Sequence, residues 1–238
     1  MSLWIAAVLI GYFIKGLCGF ANTLVITSIM SFSVNNANIS PVDMLLGCWS
    51  NLIMAWKNRS ELDRSVYLPL SALVLAGCIP GAWLLKSVDA GAVKVVFGEM
   101  VVCLGGEMFW RERRGRRERP TRWALAVIGV LAGVFCGMFG VGALLAAYVG
   151  RVTDTSAAFK ANLSAVFLTE NIFRGVLYGA LGLITRETFE TVLLLAPFMP
   201  MGLFAGMKSS ALLHEGTVRR ITILLLILSG FALIFQNL

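Results

Sequence analysis

GYFIKGLCGFANTLV, residues 11–25, is an apolar run broken in its middle by Lys15-Gly16 and Cys18-Gly19. It lies inside an apolar stretch, residues 3–32, that exceeds the roughly 20 residues one upright membrane helix needs. GVLAGVFCGMFGVGALL, residues 129–145, sits the same way inside the apolar stretch 123–150, interrupted by Gly133, Gly137, Gly140 and Gly142. Glycine lets backbones approach closely, and the amides freed at a helix break can face an enclosed cavity instead of lipid. Both stretches therefore read as broken helices or re-entrant helical hairpins.

The two stretches belong to a longer duplication. Ile10-Gly11 precedes Cys18-Gly19 at the spacing by which Ile128-Gly129 precedes Cys136-Gly137. Asn51 corresponds to Asn171, Pro80-Gly81 to the Pro200 region, and the run from Asp89 to Val93 to that from His214 to Val218. Residues 1–110 and 123–238 thus form two transmembrane repeats joined by a basic linker, 111–122. Duplicated apolar half-proteins are a common plan of secondary transporters, whose substrate sites lie where the repeats meet.

Composition fixes the solvent. The chain is 58% hydrophobic and 14% charged, with mean hydropathy +0.82, whereas soluble domains carry roughly 25% charged residues. An all-α polytopic membrane protein follows. No cleavable signal peptide is expected, because the first apolar stretch lacks a basic leader and runs on to Phe32. The net charge of +7 comes largely from the linker RERRGRRERPTR, so it is a topology signal and not a nucleic-acid surface. Anionic lipid headgroups are natural partners for that linker. The five cysteines form no CxxC pair and have no histidine nearby, which argues against a disulfide framework or a zinc site.

Further spans are expected at 41–56, 66–85 and 93–110, then at 161–183, 188–207 and 218–235, with Pro80, Pro197 and Pro200 as kinks. If the long broken elements cross the membrane, 11 loop cations lie on the side of the linker and 7 opposite. If both return to their own side, leaving three full spans per repeat, the division becomes 15 and 3. The positive-inside rule favours the second arrangement: an inverted repeat with the linker 111–122 cytoplasmic.

Ionisable groups at membrane depth are costly and usually functional. Lys15 stands beside the first glycine break, where a cation near free helix amides suits an anion; the alternative is a lysine snorkelling to the headgroups. Arg174 lies deep in 161–183, one turn from Glu170, and the two can form a structural ion pair. Alternatively Arg174 presents a fork of donors to an oxyanion, with Glu170 as its exchange partner or a protonatable coupling group. Asn51 and Asn171, matched between repeats, are candidate amide donors, as is Asn22, while interhelical hydrogen bonding alone would also explain them. Glu99 is a second candidate proton carrier, and Glu107 is expected to pair with the linker. His214 falls in a loop. No nucleophile–base pair, phosphate loop or dinucleotide fingerprint occurs, so neither an enzyme nor an ATP-driven pump is indicated, and no cofactor or metal is called for.

With these motifs in view the chain resembles the TauE/SafE permeases, the sulfite exporter family of bacterial and archaeal membranes. The resemblance runs nearly the whole length and rests on residues 11–25 and 129–145, although Ala21-Asn22 stands opposite Phe139-Gly140. It implies a prokaryotic inner-membrane carrier of sulfite, sulfoacetate or related organosulfonates. Cys18 and Cys136, on the broken elements, are candidates to contact the ligand's sulfur, and the alternative is that they are small helix-packing residues. The expected partners are a small anion, membrane lipid and protons as coupling ion; a homo-oligomer is compatible with this plan. A passive anion channel and a non-transporting membrane sensor are the competing classes.

Overall fold

The computed structural model describes residues 2–30, 36–84, 122–139, 142–180, 182 and 184–235, with isolated helical positions between 95 and 110. All regular elements among them are helical. They are α1 (Ser2–Cys18), α2 (Asn22–Met30), α3 (Asn36–Lys57), a short 3-10 turn (Arg59–Glu61) and α4 (Arg64–Leu84). After the linker come α5 (Arg122–Phe139), α6 (Ala143–Val152), α7 (Ser156–Ala180), α8 (Arg186–Leu195), α9 (Phe198–Leu212) and α10 (Glu215–Phe235). Most of the expected span 93–110, Glu107 and residues 111–121 of the linker lie outside the described residues.

Both long apolar stretches are pairs of helices. α1 stops because Gly19 adopts a left-handed conformation (φ +96°), open to glycine and costly for other residues. Ala21 is also left-handed (φ 75°), and α2 starts at the next residue. In the second stretch α5 ends at Phe139 and α6 begins after Gly142. The expected span 188–207 is likewise two helices, bent by 45°. Pro197, at the head of α9, has no amide hydrogen to continue the ladder.

One continuous helix among the described residues, over Arg64–Gly81, is both long and apolar enough to cross a membrane. The bent pair α8–α9 qualifies as a second if counted as one span. α1 and α6 are apolar but short because the breaks cut them. α7 is long but carries Lys160, Glu170 and Arg174.

Three close pairings organise the bundle: α1 with α9, α4 with α5, and α3 with α7. The first two are glycine-lined crossings. A Cβ on Gly206 would strike the Phe13 carbonyl, and one on Gly16 the Leu203 carbonyl. Gly77 and Gly81 of α4 meet the backbone of Val130 and Val134 of α5 in the same way. Small residues at such crossings let membrane helices gain dispersion contacts that lipid cannot outcompete. Trp56, Val176, Leu193, Leu212 and Phe235 are exposed, as an apolar solvent permits. One apolar core gathers Phe20, Leu70, Val74, Leu145 and Leu163. The other gathers Val8, Ile26, Leu46, Met54 and Leu203.

Candidate anion site at the helix breaks

The polar side chains withheld from both cores converge. Lys15, Asp43, Glu170 and Arg174 are each no more than 4% exposed and line a single pocket. α3 contributes Asp43, Gly47 and Asn51, spaced four apart and so on one helical face. α7 contributes Phe167, Glu170, Asn171 and Arg174, again one face. α1 brings Lys15 from its last turn. Residues 20–24, at the start of α2, and Gly142 with Ala143, at the start of α6, complete the wall.

Glycine makes room for this approach. A Cβ on Gly47 would lie 2.8 Å from the Asn171 amide nitrogen, and one on Gly142 would overlap the Phe167 ring. Two helix N-termini therefore reach the same cavity. Their first amides have no partner within the helix and carry partial positive charge.

Asp43 is held by three donors. Asn22 Nδ2 donates to Oδ1 at 2.9 Å, Thr23 Oγ1 donates to Oδ2 at 2.5 Å, and the Tyr12 hydroxyl donates to Oδ1 at 3.4 Å. Arg174 Nε lies 3.2 Å from Glu170 Oε1, and its Nη2 donates to Asn171 Oδ1 at 3.0 Å. The Nε–Oε1 contact is an ion pair by distance but lacks hydrogen-bond alignment, so Nε, Nη1 and Glu170 Oε1 have no hydrogen-bond partner. Asn51 Oδ1 is also unpartnered, in a residue only 1% exposed. Lys15 Nζ stands 5.7 Å from the centre of the Tyr12 ring, with Asp43 and Glu170 within electrostatic reach. The four charges cancel formally, and the remaining positive character comes from the helix ends. Idle guanidinium donors, a lysine and two helix N-termini around one cavity are equipped to hold a small oxyanion.

A sequence model of the sulfite exporter TauE/SafE family matches residues 3–233. The chain belongs to that family. It is accordingly an integral membrane protein of an exporter-type permease family. No curated protein and no solved structure matches the chain.

In this TauE/SafE chain the residues expected at the site fall into two groups. Lys15, Asn22, Asn51, Glu170, Asn171 and Arg174 all line the pocket. Cys18 and Cys136 lie in the apolar core beside it and are not part of its wall. Glu99 is exposed, next to Gly98, which packs on Gly230 of α10. Asn162 is engaged structurally: its Nδ2 donates to the Ala158 and Glu61 carbonyls and its Oδ1 accepts from Asp63 N.

Sequence reasoning passed over Asp43, Thr23 and Tyr12. The available signal was the spacing of four in Asp43, Gly47 and Asn51. Lys160 falls just outside the expected span 161–183. The structure buries Lys160 in α7, where its Nζ donates to the Gly16 carbonyl at 3.2 Å and to Ser210 Oγ. That amine caps the C-terminal end of α1, close to the break.

Proposed function

We propose that this chain is a secondary transporter for a small sulfur-containing anion such as sulfite or an organosulfonate. The observation that carries the reading is Arg174: a buried guanidinium with two idle donors, in a cavity that also receives Lys15 and two helix N-termini. The anion enters between the repeats and takes those donors, while Glu170 stays at ion-pair distance from Arg174. Asn51 and Asn171 supply amides from either repeat. The pairing of α1 with α9 and of α5 with α4 supports a two-fold relation between the repeats, because each broken element leans on the second span of the other half. Alternating exposure follows as these paired bundles rock around the site. The linker 111–122 faces the cytoplasm of a prokaryotic inner membrane, and the proton gradient or the membrane potential drives flux.

The test is uptake of sulfite and sulfoacetate into proteoliposomes, with and without a pH gradient, for the parent, Lys15→Ala and Arg174→Gln. Saturable, gradient-sensitive flux lost in both variants is expected. No flux of either anion through well-folded parent protein removes the sulfur-anion assignment, and unitary currents in a planar bilayer would make the chain a channel.

A further inference from the structure

We propose that Asp43 is a tethered stand-in for the transported anion, and that the anion enters the site together with one proton, which neutralises Asp43. The inference rests on the anion-transport reading and names its coupling ion and the residue that carries it. In the structure a carboxylate already occupies the place where an oxyanion would be held. Both Asp43 oxygens are engaged by donors on the break, Asn22 and Thr23, and Tyr12 adds a third. Asn22 and Thr23 also line the pocket beside Lys15 and Arg174. An anion that settles at the head of α2 competes with Asp43 for these donors.

Charge balance then decides what happens to Asp43. Lys15 and Arg174 balance Asp43 and Glu170, so a further anion leaves the buried cluster one negative charge in excess. An uncompensated buried charge is strongly disfavoured, and a carboxylate relieves it by taking a proton. Glu170 keeps Arg174 at ion-pair distance. Asp43 loses its donors to the incoming anion, so its oxygen takes the proton, drawn from the aqueous side from which the anion comes. When the anion leaves, the donors return to Asp43 and the proton is released.

The groups that face Asp43 are few. α1 presents Tyr12 and Lys15, α7 presents Glu170 and Arg174, α3 itself carries Cys48, and α2 has no titratable residue. α8 and α9 also pack on α3, but their charged residues Arg186, Glu187, Glu190 and Lys208 are exposed.

The experiment measures binding of methanesulfonate, a monoanionic organosulfonate, by the purified full chain across a pH series near neutrality, where this ligand does not titrate. Proton uptake is counted in weak buffer with a pH-reporting dye. For the parent we expect one proton per anion and an apparent Kd that rises about tenfold per pH unit on the alkaline side. Asp43→Asn, close in shape, should bind with a flat pH profile and take up no proton, while Glu170→Gln changes affinity but keeps the slope. With sulfite as probe, the ligand's own titration is common to all variants, so the difference between parent and Asp43→Asn reads Asp43. Anion binding by the parent without proton uptake overturns the proposal, even if Asp43→Asn fails to fold. So does an Asp43→Asn slope equal to the parent's, or a slope abolished by Glu170→Gln instead. A parent that binds neither anion at any pH removes the transport reading itself, and this proposal with it.

Discussion

Replacing Arg174 by glutamine separates a structural ion pair from a ligand-binding one. The pair is interior, with side chains 5% and 3% exposed and 3.2 Å between Nε and Oε1. Removing the guanidinium strands the Glu170 carboxylate, and breaking a buried pair from one side costs about 3–5 kcal/mol. The bond to Asn171 adds about 1 kcal/mol to that loss. The double variant Arg174→Gln with Glu170→Gln removes the stranded charge as well, which leaves a net cost of about 1 kcal/mol, so the two single losses are far from additive. Thermal unfolding in detergent reads the stability of the four proteins, and anion flux in proteoliposomes reads their function. Stability should fall in each single variant and recover in the double one. Flux should be absent from both proteins that lack Arg174, because the idle Nε and Nη1 donors are gone from each. Recovery of flux together with stability in the double variant would refute a ligand-binding role and leave Arg174 as a structural partner of Glu170.

Other consequences follow from the backbone. Gly206→Ala puts a Cβ against the Phe13 carbonyl and within 2.9 Å of the Leu17 amide nitrogen, so α1 and α9 must part. Overpacking of this kind costs about 1–3 kcal/mol, and an unchanged melting temperature would contradict the close crossing. Ala21 has φ 75°, a conformation that costs an L-residue about 1–2 kcal/mol. Ala21→Gly should match or exceed the parent in stability and Ala21→Val should fall below it; the opposite order in thermal unfolding would deny the left-handed turn. Single cysteines placed at 111–122, 153–155 and 213–214 should all resist membrane-impermeant labelling from outside. Labelling at the last two would replace the inverted repeat with eight spans.

The fold was legible where burial depends on local pattern alone. Apolar runs located α3, α4, α7 and α10 to within five residues at either end, although among the described residues α4 is the one continuous helix both long and apolar enough to cross a membrane. The end of α1 was legible too, since Gly19 can take the left-handed turn that closes a helix. The bend between α8 and α9 was marked by Pro197 as a kink. Its size depends on how α9 packs against α1, and that contact spans almost the whole sequence. The glycines showed the same divide. Gly77 and Gly133 are conspicuous in sequence, but that they face each other across the α4–α5 crossing follows only from the fold.

The site was legible in proportion to how misplaced each residue looked. Lys15 and Arg174 stand inside apolar runs, where an ionisable group needs a reason to be present. Asp43 stands at the edge of one, two residues after Pro41, where a charge can be taken for a solvated one. Its burial depends on Tyr12 in α1 and on Asn22 and Thr23 at the head of α2, which flank the first break. Lys160 was hidden for the same reason, because the carbonyl it caps lies 144 residues away. Cys18 and Cys136 show the converse. Their matched places on the broken elements told which helices they ride on but not which face they occupy. Cys18 is three positions on from Lys15, yet Lys15 lines the cavity and Cys18 packs in the apolar core. Repeat matching finds equivalent positions along a helix, and only the packing of the other half decides which of them meet the ligand.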